Sequence, residues 1–518
     1  MMDGGSGDVG GPDGGDVDST GLKSTGLDEG TVEIERDVPH VGERGAWLAA
    51  TLPALDLALG SVQAFRRAAA DAGATGPLVD DPLNPARVAA SFASDRLLRL
   101  DGHPVVSFAE LSGFFPTGDG WVRTHANYPH HHRQLVRLLG VHEAAARPDL
   151  EACLSSWSAQ VLEDRAAEAN AVAVRVRTEQ EWRDSPMGEA AWDGPLVRIA
   201  TRTRSGGTAS PGTAAPGSAS ARSAHRHGSH GLLAGIRVLD LTRVIAGPVA
   251  TRALALLGAD VLRIDPPVPA EIRWQHLDTG QGKHTALLDL NDRGDLARAQ
   301  DLLDEADVLV TGYRPGAVER FGLRTPDHVV HARISAWGPT GPWAGRRGFD
   351  SIVQAATGIA VIESSGETPG VLPAQVLDHA TGYLLAAGVV RALTARDGVR
   401  AKGAEQPLLG DGLGRDVSAS LARTAAWLLD EPDRDPVHPP AGRPSGTVTH
   451  GGMHALPERP RSVRLSDEAL GGWREPESWW ALGRREPAVT TALPALPVDD
   501  YPAPAHPWGS DHACWPKP

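Results

Sequence analysis

A single carboxylate lies between two apolar runs in VLPAQVLDHATGYLLAAGVVRAL, residues 371–393. Asp378 is typical of a helix N-cap, because its oxygen can accept hydrogen bonds from the free N–H groups of a first turn. The run from Tyr383 to Leu393 predicts a mostly buried helix after it. Taken alone, the stretch favours a structural cap over a catalytic carboxylate. His379 follows directly, where it could tune a site or simply occupy a first helical turn.

The first predicted strand–helix junction has the form of an anion or nucleotide site. The strand Gly235–Leu241 is followed by Ala246, Gly247 and Pro248, and then by a helix N-terminus. Asp265 ends the next strand, about where a dinucleotide-binding acid would lie. However, one glycine followed by a proline is not the G-x-G-x-x-G fingerprint, so the sequence gives only weak support for a NAD site.

A second junction, VTGYRPGAVERFGL at residues 310–323, carries arginine and aromatic side chains. Arg314 and Arg320 could bind phosphate bidentately, and Tyr313 or Phe321 could stack on a purine. The alternative is an ordinary strand–helix turn with solvated arginines.

A third segment, ISAWGPTGPWAGRRGFDSIVQAATG at residues 334–358, follows another predicted strand. Its glycine-rich loop lies where open α/β sheets place ligands, and Arg346 and Arg347 add positive charge. The alternative is a flexible connection.

Histidines cluster at His130–His132 and at His225–His230. Adjacent positions cannot easily point at one centre, and helical metal sites prefer i, i+4 spacing. We therefore expect solvated histidines at both places and no metal site. The chain has no Walker loop, G-x-S-x-G elbow or cysteine nucleophile signature.

Composition favours a soluble cytoplasmic protein. The 518 residues carry a formal net charge of −15, and nothing resembles a basic nucleic-acid stripe. No apolar run reaches the roughly 18 residues of a membrane span. Cys153 and Cys514 are far apart, which favours a reducing compartment. The acidic, glycine-rich N-terminus is the opposite of a signal peptide.

The chain divides by composition into five parts. Residues 1–40 predict a disordered tail, 41–203 a mixed α+β part, and 204–230 a flexible linker. Residues 231–400 alternate strands with helices, which predicts a Rossmann-like parallel sheet covered on both faces. Residues 401–518 predict one helix and an irregular tail rich in proline and tryptophan.

Taken together, the part after the linker resembles the family III CoA transferases, the group that includes formyl-CoA and carnitine CoA-transferases. The resemblance covers about residues 231–430 and rests on five motifs in family order. They are GIRVLDLTRVIAGPVATRALALLGADVLRIDPP, ADVLVTGYRPGAVERFGL, RISAWGPTGPWAGRRGFDSIVQAATG, LPAQVLDHATGYLLAAGVVRAL and GRDVSASLARTAAWLL.

The resemblance implies a nucleophilic role for Asp378, which would attack an acyl-CoA thioester and later carry CoA as an aspartyl thioester. It also implies that a cap and a nucleophile can be the same residue, held ionised by the helix dipole and backbone N–H groups. The positions that match family CoA contacts are Ile245, Ala246, Leu288, Gly312, Tyr313, Arg320, Phe321 and Arg347.

Several positions depart from the family pattern. Phe349 stands where related α-methylacyl-CoA racemases carry a histidine, which argues against racemisation. Asn291 falls where some members have a lysine. Sequence similar to the small and C-terminal regions of the family precedes the linker, so the chain looks permuted or fused. The glycine loop that shields the nucleophile has only a weak candidate in Thr449–Pro457.

The leading expectation is therefore a CoA transferase that moves CoA from an acyl-CoA to a carboxylic acid, with neither nucleic acid nor membrane as a partner. The alternatives are a racemase-like CoA-ester enzyme, a non-catalytic acyl-CoA-binding member and, last, a NAD-dependent enzyme. Family members form interlocked dimers. We expect either a homodimer or a chain whose N-terminal part supplies in cis what a partner supplies in trans.

Overall fold

The computed structural model describes residues 31–35, 38–202, 231–314, 316–399, 408–440, 447–450 and 489–516. The predicted linker and most of the predicted N-terminal tail lie outside these residues, as do His225–His230 and most of the loop candidate Thr449–Pro457.

Within the described residues, the helices range in length from 4 to 22 residues. The helices are α1 Ala54–Asp71, α2 Pro77–Asp80, α3 Pro85–Phe92, α4 Ser94–Leu97, α5 Pro129–Leu139, α6 Arg147–Leu154, α7 Ala159–Glu168, α8 Glu179–Arg183, α9 Pro186–Trp192, α10 Ala246–Leu256, α11 Arg273–Thr279, α12 Arg293–Asp304, α13 Asp350–Thr357, α14 Ile359–Ile362, α15 Val376–Asp397 and α16 Leu421–Asp430. A 3₁₀ turn covers Glu319–Phe321.

The strands described in the same residues form four sheets. The strands are β1 Arg99–Leu100, β2 His103–Pro104, β3 Phe114–Thr117, β4 Gly120–Thr124, β5 Ala173–Arg175, β6 Val197–Thr201, β7 Arg237–Leu241, β8 Asp260–Asp265, β9 Lys283–Leu287, β10 Val308–Thr311, β11 Val330–Ser335, β12 Gly398–Val399, β13 Leu408–Leu409, β14 Arg415–Ser420, β15 Thr447–His450 and β16 Val489–Ala492.

The largest sheet has seven strands in the order β6-β14-β11-β10-β7-β8-β9. All neighbouring pairs are parallel except β6 with β14. Helices pack on this sheet because its strands are apolar on both faces, as in Val308–Thr311, where every residue is buried. The predicted α/β class with a Rossmann-like parallel sheet is confirmed. The strand order reverses between β7 and β10, which is where such sheets bind ligands.

The part of the chain before the linker shares the core of this sheet. Strand β6 pairs with β14 through the register Val197 to Ala419. Helix α1 packs along α15, where the rings of Phe65 and Tyr383 lie 6.1 Å apart. A separate small sheet, β3-β4-β5, packs with α5, α6 and α7 around Phe115 and Leu150. This is the α+β region expected from the sequence.

Two expectations about local structure were wrong. The helix expected from Tyr383 begins earlier, at Val376, and therefore contains Asp378. Strand β14 lies in the region where strand–helix alternation was expected to fade. The strand is largely buried although its sequence, RDVSAS, is mostly polar.

The described C-terminal segment, residues 489–516, packs on the body of the protein. Trp508 and Trp515 are buried, and the Nε1 atom of Trp508 donates to the Oδ2 atom of Asp265 at 3.1 Å. Strand β16 also pairs with β1 from the N-terminal part. Among the described helices, none combines the length and apolar character needed to cross a bilayer.

Candidate functional site

Asp378 is the third residue of α15, and its side chain is only 6% exposed. The preceding residue Gln375 occupies the N-cap position without a side-chain capping hydrogen bond. No described residue donates a hydrogen bond to the carboxylate of Asp378. It is thus a buried acid at a helix N-terminus that is not used to cap that helix.

The cap comes instead from Asp350, the first residue of α13. Its Oδ2 atom accepts a hydrogen bond from the backbone N–H of Asp378 at 2.9 Å. Its Oδ1 atom accepts from Gln354, whose own Oε1 atom accepts from the backbone N–H of Leu372 at 2.9 Å. The expectation that Asp378 caps its own helix is wrong. A fully buried neighbour, on a helix packed against α15, already occupies that position.

The two carboxylates therefore have different electrostatic environments. Burial, and then the charge of Asp350, raise the pKa of Asp378 well above its usual range. Burial raises the pKa of Asp350 to about 6, although hydrogen bonds from the N–H groups of Asp378 and Gln354 act to lower it. The expectation that N–H groups hold Asp378 ionised is also wrong, since those groups stabilise the charge of Asp350.

Asp378 lines a small cleft that is open to solvent. Both parts of the chain line it. The N-terminal part contributes Asp95, Ser107, Phe108, His125 and Asn127, and the later part contributes Val244, Ile245, Trp274, Gln275, Phe349, Gln375 and Asp378.

The turn after β7 reaches this cleft in an uncommon backbone conformation. Val244 has a φ of 71°, in the left-handed region that β-branched residues rarely adopt. Its backbone N–H donates to the Oε2 atom of Glu271 at 3.1 Å, and the hydroxyl of Tyr128 donates to the Oε1 atom at 2.5 Å. Burial would raise the pKa of Glu271, but Arg243 and Arg263 hold it at about 2. An ionised glutamate thus joins the turn to the N-terminal part.

His125 lies directly on Phe349, with ring centroids 3.8 Å apart and planes within 4°. Burial, with Arg123 nearby, lowers the pKa of His125 to about 3, so its ring is neutral at pH 7. Its Nδ1 atom is buried and has no hydrogen-bond partner. The N-terminal part therefore supplies a histidine next to the position where sequence comparison found a phenylalanine.

His379, by contrast, does not line this cleft. Its ring stacks on Phe92 with the ring centroids 5.1 Å apart, and burial together with the charge of Arg252 lowers its pKa to about 3. His379 therefore contributes packing against helix α3 rather than chemistry at the cleft.

A second cleft carries the arginines of the loops after β10 and β11. Arg314, Arg346 and Arg347 line it together with the indoles of Trp337 and Trp343. The guanidinium of Arg346 lies 4.6 Å from the ring centroid of Trp343. Positive charge beside aromatic surface suits a ligand with both phosphate and a purine. Residues 170–174 of the N-terminal part form the opposite wall.

The remaining positions matched to CoA contacts are spread along the carboxyl edge of the sheet. Ile245 and Ala246 start α10 and are buried, while Gly312 follows β10 with its Cα near Thr242. Tyr313 and Phe321 are about two-fifths exposed, at 40% and 41%. The structure brings Ile245 to the cleft of Asp378 and Arg347 to the second cleft. Neither of the two clefts includes Leu288, Gly312, Tyr313, Arg320 or Phe321.

Asn291, where a lysine was expected from the family, is exposed and engaged locally. Its Nδ2 atom donates to the Oδ1 atom of Asp289 at 2.8 Å. It closes a turn before α12, and its side chain lines neither of the two clefts.

Comparison with known proteins finds similarity for the part after the linker position. Residues 233–434 match the model of CoA-transferase family III. This segment is therefore similar to CoA-transferase family III. It covers less than half of the chain, and it contains Ile245, Arg347, Asp350 and Asp378.

Relatives and solved structures match over similar lengths. An acetyl-coenzyme A transferase from Hypoxylon pulicicidum is 36% identical over 32% of this chain and 30% of its own length. A succinyl-CoA:glutarate CoA-transferase from Mus musculus is 32% identical over 32% of this chain and 42% of its own. The crystal structure of a hypothetical protein from Mycobacterium tuberculosis aligns at 30% identity and a TM-score of 0.34, covering 39% of this chain and 58% of that one. The chain spans less than half the length of these curated relatives.

Sequence reasoning missed Asp350 and His125 as residues of the site. Asp350 stands in the quoted motif GFDSIVQ, where attention went to the residue before it. His125 stands in THANYPHHH, where the adjacent histidines drew the metal interpretation. A signal for His125 was the strand-to-helix turn of that motif, but its packing on Phe349 joins positions 224 residues apart.

Proposed function

We propose that the protein transfers CoA from an acyl-CoA to a carboxylic acid, with Asp378 as the nucleophile. The observation that supports this most is a buried carboxylate, without hydrogen-bond donors, facing a cleft that also contains the turn at Ile245. A poorly solvated carboxylate is a strong nucleophile once ionised, and the surrounding apolar wall limits hydrolysis of an anhydride.

The proposed reaction begins when an oxygen of Asp378 attacks the carbonyl carbon of the thioester. The carbon–sulfur bond breaks, and CoA leaves as a thiolate from a mixed anhydride. The thiolate then attacks the side-chain carbonyl carbon of Asp378 and releases the first acid as a carboxylate. The second carboxylate attacks the carbonyl carbon of the resulting aspartyl-CoA thioester, whose carbon–sulfur bond breaks to release the CoA thiolate and leave a second mixed anhydride. The thiolate finally attacks the acyl carbon of the new anhydride, which regenerates the carboxylate of Asp378 and forms the new acyl-CoA.

His125 suits donation of an N–H to the thioester oxygen while negative charge develops there. A neutral imidazole can donate a hydrogen bond from its protonated nitrogen without carrying a net charge. A donor that is already fixed in place can stabilise the oxyanion as it forms. The pKa of about 3 also makes His125 a poor base at pH 7. This separates the roles of the two groups, with Asp378 as the nucleophile and His125 as the donor.

The second cleft supports binding of the nucleotide end of CoA. Arg314, Arg346 and Arg347 supply positive charge at the carboxyl edge of the sheet, and Trp343 supplies an aromatic face. The family match and the names of the relatives support CoA esters as the substrate class. The cytoplasm remains a prediction from the use of only two cysteines, which the structure leaves unpaired.

A covalent trap tests the nucleophile. The full chain is incubated with acetyl-CoA, succinyl-CoA and longer acyl-CoAs, quenched with hydroxylamine, digested and examined by mass spectrometry. A hydroxamate is expected at Asp378 and at no other carboxylate. Asp378→Asn should abolish it, whereas the neighbouring control His379→Gln should retain it. No adduct across the panel, in protein that binds CoA by calorimetry, would favour a non-catalytic acyl-CoA-binding protein.

Proton exchange at the α-carbon of the acyl group is the second candidate function. The absence of a histidine at position 349 argued against it, but His125 now lies in the same cleft as Asp378. Two acid–base groups around one carbon are what racemisation needs. The low pKa of His125 weighs against this candidate.

Deuterium incorporation measures the second candidate directly. The protein is incubated with a 2-methylacyl-CoA in D₂O, and the ester is then examined by mass spectrometry. If transfer is the function, the wild type should incorporate deuterium no faster than Asp378→Asn does. Exchange that is lost in both His125→Gln and Asp378→Asn would establish α-proton chemistry and displace the transferase proposal.

A further inference from the structure

Two histidines and a carboxylate converge at the outer edge of the large sheet, away from both clefts. His284 lies on β9, the edge strand, while His506 and Asp511 belong to the C-terminal segment. One candidate ligand atom from each residue lies within 4.8 Å of the other two. Nothing in the transferase proposal uses these three residues.

The distances between the candidate ligand atoms are close to those of a metal site. The Nδ1 atom of His506 is 2.8 Å from the Oδ2 atom of Asp511, and the Nδ1 atom of His284 is 3.8 Å from the same oxygen. Ligand atoms about 2.0–2.1 Å from a tetrahedral zinc ion are roughly 3.3 Å apart. The two observed distances lie on either side of this value, so small side-chain rotations would place one ion between all three groups.

Hydrogen bonds already orient the carboxylate of Asp511 and hold the backbone of His506. The Oδ2 atom of Asp511 accepts from the backbone N–H of Thr285 at 2.8 Å, and the backbone N–H of Asp511 donates to the Thr285 carbonyl at 2.9 Å. The Nε2 atom of His276 donates to the carbonyl oxygen of His506 at 2.8 Å. Such outer partners fix the direction of metal ligands and strengthen binding.

We propose that His284, His506 and Asp511 bind a divalent transition-metal ion of the zinc class and thereby fasten the C-terminal segment to strand β9. Two imidazole nitrogens and one carboxylate oxygen suit zinc, and three protein ligands leave one coordination position for water. The three side chains are partly exposed, with 43%, 27% and 11% of their surfaces accessible, so an ion can enter from solvent.

The test measures zinc binding to the full chain by equilibrium dialysis and by competition with a chromophoric chelator. The chain contains other histidines, so the comparison is between variants. His284→Ala and His506→Ala should each lose one equivalent of zinc or bind it at least about tenfold more weakly. His142→Ala, an exposed histidine outside the triad, should bind as the wild type does. A variant with His225, His227 and His230 all replaced by serine should keep the same equivalent.

A second readout reports on the role in fastening the segment. Zinc should slow hydrogen exchange of the amides of residues 506–511 in the wild type but not in His284→Ala. Asp511 is left unchanged, because its contacts to Thr285 hold the segment even without metal. The proposal fails if zinc stoichiometry and affinity are the same in the wild type and both single variants. It also fails if the equivalent disappears only when the three serines are introduced.

Discussion

At the scale of single residues, the two neighbouring buried aspartates Asp350 and Asp378 differ in their hydrogen bonds. Asp350 accepts the N–H groups at the start of α15 and orders the backbone there. Asp378 receives none of them, so its carboxylate is desolvated and stays available to a substrate. A carboxylate that capped its own helix would be stabilised as an anion and would attack less readily. The arrangement therefore gives up stability at Asp378 in exchange for reactivity.

This loss of stability can be measured through its dependence on pH. The pKa of Asp378 is raised in the folded state, so folding favours the protonated form. Its effect is absent below the unfolded pKa of about 3.9, and the cost appears as pH rises toward the folded pKa. Asp378→Asn should therefore be as stable as the wild type near pH 4 and more stable at pH 8. Each pKa unit of the shift corresponds to about 1.4 kcal/mol.

Urea unfolding at a series of pH values gives the comparison. Asp350→Asn is the control. It removes the second charge, and its amide oxygen can still accept a hydrogen bond from the backbone N–H of Asp378. In that background the gain from Asp378→Asn should shrink, since only burial then raises the pKa of Asp378. An unchanged difference between pH 4 and pH 8 would mean that Asp378 ionises normally in the folded protein.

At the scale of elements, the position of Asp378 depends on how closely α15 approaches α10. A Cβ atom on Gly382 would lie 2.6 Å from the carbonyl oxygen of Ala246 and 3.0 Å from Val249. Ala246 begins α10, directly after the cleft residue Ile245. One glycine therefore fixes the distance between α15, which carries Asp378, and the turn that faces it.

Gly382→Ala should separate these two helices. The alanine adds helix propensity worth roughly 0.5–1 kcal/mol, but contact with a backbone oxygen forces a shift that costs typically 1–3 kcal/mol. We expect a net loss of about 1 kcal/mol in urea unfolding and weaker binding of CoA by calorimetry. Gly388→Ala, six residues along the same helix, meets only the Cγ1 atoms of Val197 and Val417 at 2.8 Å. It should lower stability without changing CoA affinity, and equal effects of both variants on CoA would refute this explanation.

The sequence indicated these elements better than their contacts. Strands β7, β8, β9, β10 and β11 and helices α10 and α12 follow local hydrophobic patterns, so residue types alone located them within a few positions. Strand β14 was missed because its polar alternation is typical of an exposed strand. The pairing of β6 with β14, and of His125 with Phe349, joins residues more than 200 positions apart. No local pattern records such contacts, which is why the cleft was only half predicted.

At the scale of the whole molecule, one chain supplies both walls of the proposed active site. Ser107 and His125 come from the part before the linker position, while Ile245 and Asp378 come from the part after it. The hydroxyl of Ser107 donates to the carboxylate of Asp95 at 3.0 Å, which fixes the opposite wall of the cleft. The described chain thus has the contacts for a cleft completed in cis.

Complementation between inactive variants distinguishes a cleft completed in cis from one completed by a partner chain. Asp378→Ala removes the nucleophile, and Ser107→Trp fills the cleft from the N-terminal part. If the cleft is completed in cis, every site in a mixture of the two variants carries one defect, so co-expression restores no activity.

If chains exchange their N-terminal parts, a hybrid dimer contains one intact site and one doubly defective site. Its hydroxylamine adduct should then reach about half of the wild-type amount per dimer. We expect no adduct in hybrids isolated with two different affinity tags, or a single monomeric species by light scattering. Recovery of the adduct would show that the N-terminal part acts on a neighbouring chain, even though the contacts within one chain are complete.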